Sequence, residues 1–145
     1  MKTVERLLEF KFPAEAAHLS DMRSKLRDAL REARYSNDVV DCLILAVGEA
    51  CMNIIQHAYC DDDCGDIVIE VERQASNLVF RITDFAQYKS KTEEMKSRRL
   101  DEIRPGGLGC HIINEIMDEV ILLDCKESQG NVLQMRKTMM DPSSF

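Results

Sequence analysis

The sequence lacks an apolar run of the roughly 18 residues that a membrane-spanning helix needs. Its first residues, "MKTVERLLEF", also lack the hydrophobic core of a signal peptide. There is no internal repeat and no low-complexity segment. These absences predict a soluble, cytoplasmic protein that does not enter a membrane. The length of 145 residues favours one domain over 1–145, long enough to bury a core without disulfides.

Basic residues are in deficit. The chain has 19 lysines and arginines against 26 aspartates and glutamates, a net charge of -7. Proteins whose main task is to bind the phosphate backbone of nucleic acids need the opposite balance, so we expect no direct nucleic-acid partner. The acidic surface suits a basic protein partner, although solubility alone explains it equally well.

The six cysteines do not form a zinc-site pattern. Cys60 and Cys64 flank three aspartates, but no second pair accompanies them, so an acidic turn is favoured over a metal site. The other four lie in apolar or helical contexts, where a free cysteine acts as a small hydrophobe. These are Cys42, Cys51, Cys110 and Cys125.

Hydrophobic periodicity predicts an α+β protein with helices beside hairpin-connected strands. Residues 85–105 are polar and highly charged, which predicts a lid over about 85–107. In chain order we predict a strand at 4–12, helices at 14–33 and 39–59, a hairpin of strands at 67–73 and 78–83, a helix at 108–117, and strands at 119–124 and 131–138.

The second predicted helix contains the stretch "CLILAVGEACMNII", whose only strongly polar side chains are Glu49 and Asn53. At about 100° per residue, these two lie about 40° apart on the helix surface. The carboxylate could accept a proton, and the amide oxygen could ligate Mg2+. A Glu49 that reaches solvent or bonds a loop remains equally open. The opposite side of the helix carries an apolar stripe that should pack on the sheet: Val40, Leu43, Ile44, Val47, Cys51, Ile54, Ile55 and Ala58.

The Glu49 side is not an ordinary charged surface, because apolar residues share it. This composition predicts the wall of a pocket rather than a solvated face. The residues concerned are Cys42, Leu45, Ala46 and Met52.

Two further segments could bind a nucleotide. "RPGGLG", from Arg104 to Gly109, precedes a predicted helix and suits phosphate, because glycines allow close approach and a helix N-terminus favours negative charge. A simple loop-to-helix turn is the alternative. Asp84 ends a predicted strand and could accept a hydrogen bond from an adenine amine, although a turn-forming aspartate is commoner there.

Together, the Glu-x-x-x-Asn helix, the strand-end aspartate, the lid and the "GGLG" helix resemble the GHKL (Bergerat-fold, histidine-kinase-like) ATPases. The segments "LAVGEACMNIIQHAY", "IMDEV" and "GNVLQMRK" narrow the resemblance to anti-sigma factors of the serine-protein-kinase type, over about Leu8 to Lys137. The resemblance implies a two-layer α/β sandwich with a mixed, mainly antiparallel sheet. It also implies MgATP bound between the helices and the lid.

The resemblance further implies specific roles. Glu49 matches the general base, Asn53 the Mg2+ ligand and Asp84 the adenine-reading aspartate. Members of this family phosphorylate a serine on an anti-anti-sigma (STAS-type) antagonist and sequester a sigma factor, commonly as homodimers. Four residues match the turn that supports the lid and phosphates: Arg104, which would face the γ-phosphate, and Gly107, Leu108 and Gly109.

One departure keeps an alternative open. Ala86 stands where the family usually has a glycine after the strand-end aspartate, which would weaken adenine binding if that position needs positive φ. A non-catalytic or weakly ATP-binding module of the same fold, which only sequesters a partner, is therefore the alternative function. The ATP-binding half of a histidine kinase is disfavoured, because His18 is the one histidine on the first helix and no dimerisation helix pair surrounds it.

Overall fold

A computed structural model of the chain describes residues 4–57, 65–85, 108–125 and 130–139. The predicted acidic turn around Cys60, Ala86 and nearly all of the predicted lid, with Arg104 and Gly107, lie outside these residues. The elements are β1 (Val4–Pro13), a 3-10 helix (Ala16–His18), α1 (Leu19–Glu32), α2 (Asn37–His57), β2 (Asp66–Gln74), β3 (Asn77–Asp84), α3 (Leu108–Ile116), β4 (Glu119–Cys125) and β5 (Gly130–Thr138).

The strands form one sheet in the order β1-β2-β3-β5-β4. All four strand pairs are antiparallel, including the predicted hairpin of β2 and β3. The predicted α+β fold is confirmed. A mixed sheet was expected, but the described strands include no parallel pair, since each of them runs opposite to its neighbours in this order.

The core lies between the helices and one face of the sheet. Alternate residues of β2 and β3 point into it, as the period of two requires. Val71 lies opposite Phe80 and Ile69 opposite Ile82, and all four are fully buried. From the helices, Met22, Leu26 and Leu30 of α1 and Val40, Leu43 and Val47 of α2 join the same cluster. The predicted apolar stripe of α2 therefore packs inward, as far as the described residues reach.

Both helix starts differ from the predicted residues 14 and 39. A 3-10 helix follows β1, so α1 begins only at Leu19, and α2 begins earlier than predicted, at Asn37. Ser36 caps α2: its carbonyl accepts from Val40 N–H at 2.9 Å, and its hydroxyl lies 3.4 Å from Val39 N.

In the described residues, no helix has both the length and the apolar character to cross a membrane.

The opposite face of the sheet carries a charged network centred on Glu72. Its carboxylate accepts from Arg81 Nη1 at 2.7 Å, Arg6 Nη2 at 3.1 Å and Gln74 Nε2 at 3.0 Å. The pKa of Glu72 is lowered, chiefly by the hydrogen bond from Arg81 and also by those from Arg6 and Gln74, although burial acts in the opposite direction. Only 8% of Glu72 is exposed, so these neighbours cover it on a face that no described helix covers.

Candidate functional site

Around the circumference of α2, near the predicted site, side chains change from exposed to buried over a short distance. Leu45 and Cys42, on either side of Glu49 on the helix surface, are exposed, and Glu49 itself is half-buried. Asn53 and Ala46, further round the helix, are buried. The predicted pocket wall is therefore divided. Glu49 lies at its border with solvent, and Asn53 lies on the interior side.

Asn53 has a buried side-chain nitrogen without a hydrogen-bond partner in the described residues. It is 8% exposed, and its Nδ2 has no hydrogen-bond partner in the described part of the chain. Leaving a buried polar group unpaired costs about 1–3 kcal/mol, so proteins seldom retain one without a reason. Rotation of the amide group by about 180° around the Cβ–Cγ bond exchanges the positions of Nδ2 and Oδ1. The side chain can therefore present either a donor or an acceptor at this position. An oxygen presented there fits the preference of Mg2+ for oxygen ligands.

The described residues contain no group of three or more His, Cys, Asp or Glu side chains that could hold a metal ion. A preassembled protein cage is therefore not present in that part of the chain. Mg2+ commonly takes one or two protein ligands and completes its octahedron with phosphate and water. A site in which the amide oxygen of Asn53 is a protein ligand is compatible with this second arrangement.

Asp84 is the last residue of β3 and is 1% exposed. It lies opposite Ile67 of β2 and Asn131 of β5, on the sheet face that the helices cover. Asn131 donates a hydrogen bond from Nδ2 to Asp84 Oδ1 at 2.9 Å. A carboxylate this deeply buried needs such partners, whereas a turn-forming aspartate would be exposed. Asn131 was not predicted as a site residue, since only the strand register reveals it.

The "GGLG" segment reaches the described residues at its end. α3 begins at Leu108, so Leu108 and Gly109 occupy its first turn. Backbone N–H groups in a first turn have no intrahelical acceptor and point out of the helix end. This geometry agrees with the phosphate-binding role predicted for the segment. α3 packs beside α2, which brings its first turn into the same layer as Asn53.

Sequence reasoning also missed a contact between the first two helices. A Cβ atom placed on Gly48 would lie 3.3 Å from Nε of Arg23, so the guanidinium of α1 lies against the turn that carries Glu49. Cys51, one turn further along α2, is fully buried, and burial raises the pKa of its thiol to about 12. Cys51 is the small core hydrophobe that was predicted, whereas Cys42 is exposed.

The family profile described as Histidine kinase-like ATPase domain matches residues 12–137. With the helix-on-sheet fold and the polar groups of α2 and β3, this match settles the class: the chain belongs to the histidine kinase-like ATPase family.

Among curated proteins, the chain is similar to serine-protein kinases RsbW. It is 30% identical over 127 residues to those of Bacillus velezensis and Bacillus subtilis, covering 83% of this chain and 79% of each relative. The Bacillus cereus protein is 28% identical over 137 residues, covering 90% of this chain and 83% of that protein. The resemblance to serine-protein kinases of this superfamily is thereby confirmed.

Proposed function

We propose that this chain is an ATP-binding anti-sigma factor with serine-protein kinase activity. It would phosphorylate an anti-anti-sigma protein and sequester a sigma factor, in the cytoplasm and as a homodimer. The single observation that carries the nucleotide site is Asn53, a buried amide with an unsatisfied Nδ2, one helical turn from the half-buried Glu49. The similarity to serine-protein kinases RsbW supports the choice of reaction.

The protein residues would divide the work of phosphoryl transfer. The serine Oγ of the substrate attacks the γ-phosphorus, the bond from that phosphorus to the β–γ bridging oxygen breaks, and ADP leaves. Glu49 accepts the proton of the serine hydroxyl. Mg2+, when bound with ATP, would neutralise phosphate charge, and Asn53 would be its protein ligand.

The remaining predicted residues would hold the nucleotide. Asp84, oriented by its hydrogen bond from Asn131, accepts from the exocyclic amine of adenine. The free N–H groups of the first turn of α3, at Leu108 and Gly109, receive the phosphates. Arg104 and Gly107 lie outside the described residues, so their proposed roles near the phosphates rest on the sequence alone.

The test begins with calorimetric titration of ATP, with and without Mg2+, into the wild type and Asn53→Ala. We expect Mg2+-dependent binding that Asn53→Ala removes. Phosphorylation of anti-anti-sigma proteins from the same genome is then measured with γ-labelled ATP. Glu49→Gln should retain nucleotide binding and lose phosphoryl transfer, because the amide cannot accept the proton. Analytical ultracentrifugation of the wild type tests whether the chain is a dimer in solution.

The alternative is a module that sequesters its partner without turnover. Ala86, in place of the usual glycine, is the observation that favours it. A folded wild type that binds no ATP at millimolar concentration would establish this alternative over the kinase. ATP binding with unchanged phosphoryl transfer by Glu49→Gln would instead remove the general-base assignment.

A further inference from the structure

A groove of about 500 Å³ runs between β1 and α1, and none of the predicted nucleotide-site residues lines it. Its floor is apolar and includes Leu8, Phe10 and Ala29, while charged residues of both elements form its rim. Leu8 and Phe10 are only partly buried against the core, so further apolar surface is available for a ligand to cover.

The strand that forms one wall is an edge strand. β1 pairs with β2 alone among the described strands, so its other side offers backbone N–H and C=O groups to an added strand. Its register shift between Arg6 and Leu8, its several charges and Pro13 are features that discourage indiscriminate pairing. An added strand must therefore match this edge in charge.

Half of the six charged side chains that line the groove are in ion pairs, and Lys25 is a cation that lies over a ring. Arg6 Nη1 lies 2.9 Å from Glu9 Oε1, Arg73 Nη2 lies 2.7 Å from Glu5 Oε1, and Lys25 Nζ lies 5.1 Å from the centre of the Phe10 ring. Two acids remain on the helical wall of the groove. They are Asp28 and Glu32, both exposed, and neither has an ion-pair partner in the described ranges.

The spacing of these two acids suits an extended chain. Four residues of helix rise about 6 Å, and two residues of strand span about 6.6 Å. Alternate side chains of a strand laid along β1 would therefore meet Asp28 and Glu32 in turn. Lysine or arginine meets both demands of the groove, because the aliphatic stem covers apolar floor while the charged head reaches the carboxylate.

We propose that the groove between β1 and α1 binds an extended basic segment of a protein partner. The segment adds a strand to the free edge of β1 and directs alternate lysine or arginine side chains to Asp28 and Glu32. This site is separate from the nucleotide site and does not depend on ATP.

The test uses a fluorescent, capped peptide of about eight residues that alternates lysine and valine. Its affinity for the full chain is measured by anisotropy without nucleotide. The double variant Asp28→Lys with Glu32→Lys should bind about tenfold more weakly or worse. The matched control is Glu15→Lys with Asp21→Lys, which makes the same change in net charge at exposed residues outside the groove and should change affinity by less than about twofold.

Two further measurements separate the groove from general attraction and from misfolding. Ala29→Leu fills the floor without changing charge, keeps high helix propensity, and should also weaken binding. N-methylation of alternate backbone amides in the peptide should abolish strand addition and lower affinity about tenfold.

Four results would overturn the proposal. They are no binding of the peptide at millimolar concentration, equal weakening by both double variants, full affinity of the N-methylated peptide, and a change of sedimentation in the groove variants alone. The last would assign the groove to a second copy of the chain.

Discussion

Asn131, near the start of β5, holds Asp84 at the end of β3 through a 2.9 Å hydrogen bond from Nδ2 to Oδ1. The two residues lie directly opposite each other in the β3–β5 ladder. A buried carboxylate with a fixed orientation can distinguish ligands by the groups they present, because a mismatched group leaves it unsatisfied. We therefore propose that Asn131 positions Asp84 for the proposed adenine contact.

Asn131→Leu removes one donor to Asp84 and should lower ATP affinity about tenfold. The preference for ATP over GTP should fall as well, since Asp84 loses a hydrogen bond that helps to fix its orientation. Competitive titration of both nucleotides measures this. Asn77→Leu, at the other end of β3, removes the acceptor of hydrogen bonds from Arg136 and Thr138 but should leave nucleotide preference unchanged. A preference that survives in Asn131→Leu would remove the positioning role.

Asn53→Leu should separate stability from binding. The substitution removes a buried amide whose Nδ2 has no internal partner in the described residues, so we expect unfolding free energy to stay the same or rise by up to about 1 kcal/mol. Mg2+-dependent nucleotide binding should be lost at the same time. Urea denaturation measures the free energy of unfolding. Asn131→Leu is the comparison that should be destabilised, because it removes an existing hydrogen bond. A large loss of stability in Asn53→Leu would mean that the residue is structural.

Glu72 should contribute to the acid sensitivity of the fold. Its folded-state pKa is lowered, chiefly by the hydrogen bond from Arg81, so its contribution is complete above the unfolded value of about 4.3. The contribution is lost as pH falls below that value through the folded pKa. Glu72→Gln should therefore flatten the decline of stability below about pH 4.3 and cost about 1 kcal/mol at neutral pH.

Glu9→Gln is the control for this experiment, because Glu9 also pairs with Arg6 but is exposed. Exposed ion pairs contribute little, so its pH profile should follow the wild type closely. Denaturant unfolding at several pH values measures both variants. If Glu72→Gln declines in acid as steeply as the wild type, the network around Glu72 is not the cause.

Gly48→Ala should stabilise the fold modestly. Alanine in a helix interior is favoured over glycine by about 0.5–1 kcal/mol. The new methyl group would meet Arg23 Nε at 3.3 Å, but Arg23 is an exposed, flexible side chain that can shift by a few tenths of an ångström. Thermal unfolding measures the gain, and Arg23→Ala combined with Gly48→Ala removes the contact. A destabilised Gly48→Ala that this second change rescues would show that Arg23 is held in place.

The sequence by itself determined what depends on local periodicity. The alternation in β1, the apolar stripe of α2 and the helix after "GGLG" each follow from a period of two or 3.6 residues, and their positions agree with the structure to within a few residues. The same geometry puts Glu49 and Asn53 on one side of α2. The exact start of α1 was not predictable, because Pro13 suits the end of an edge strand as well as a first helical turn.

Only the tertiary structure decided which of these polar groups lose contact with water. Packing around α2 buries Asn53 but leaves Glu49 half-exposed, although both lie on the same side of the helix. The bond between Asn131 and Asp84 joins residues 47 positions apart, and it exists because β3 and β5 pair in one register. Register and layer packing are long-range properties, since each depends on the fit of several elements at once. For that reason a local pattern could predict the residues of the site but not their partners.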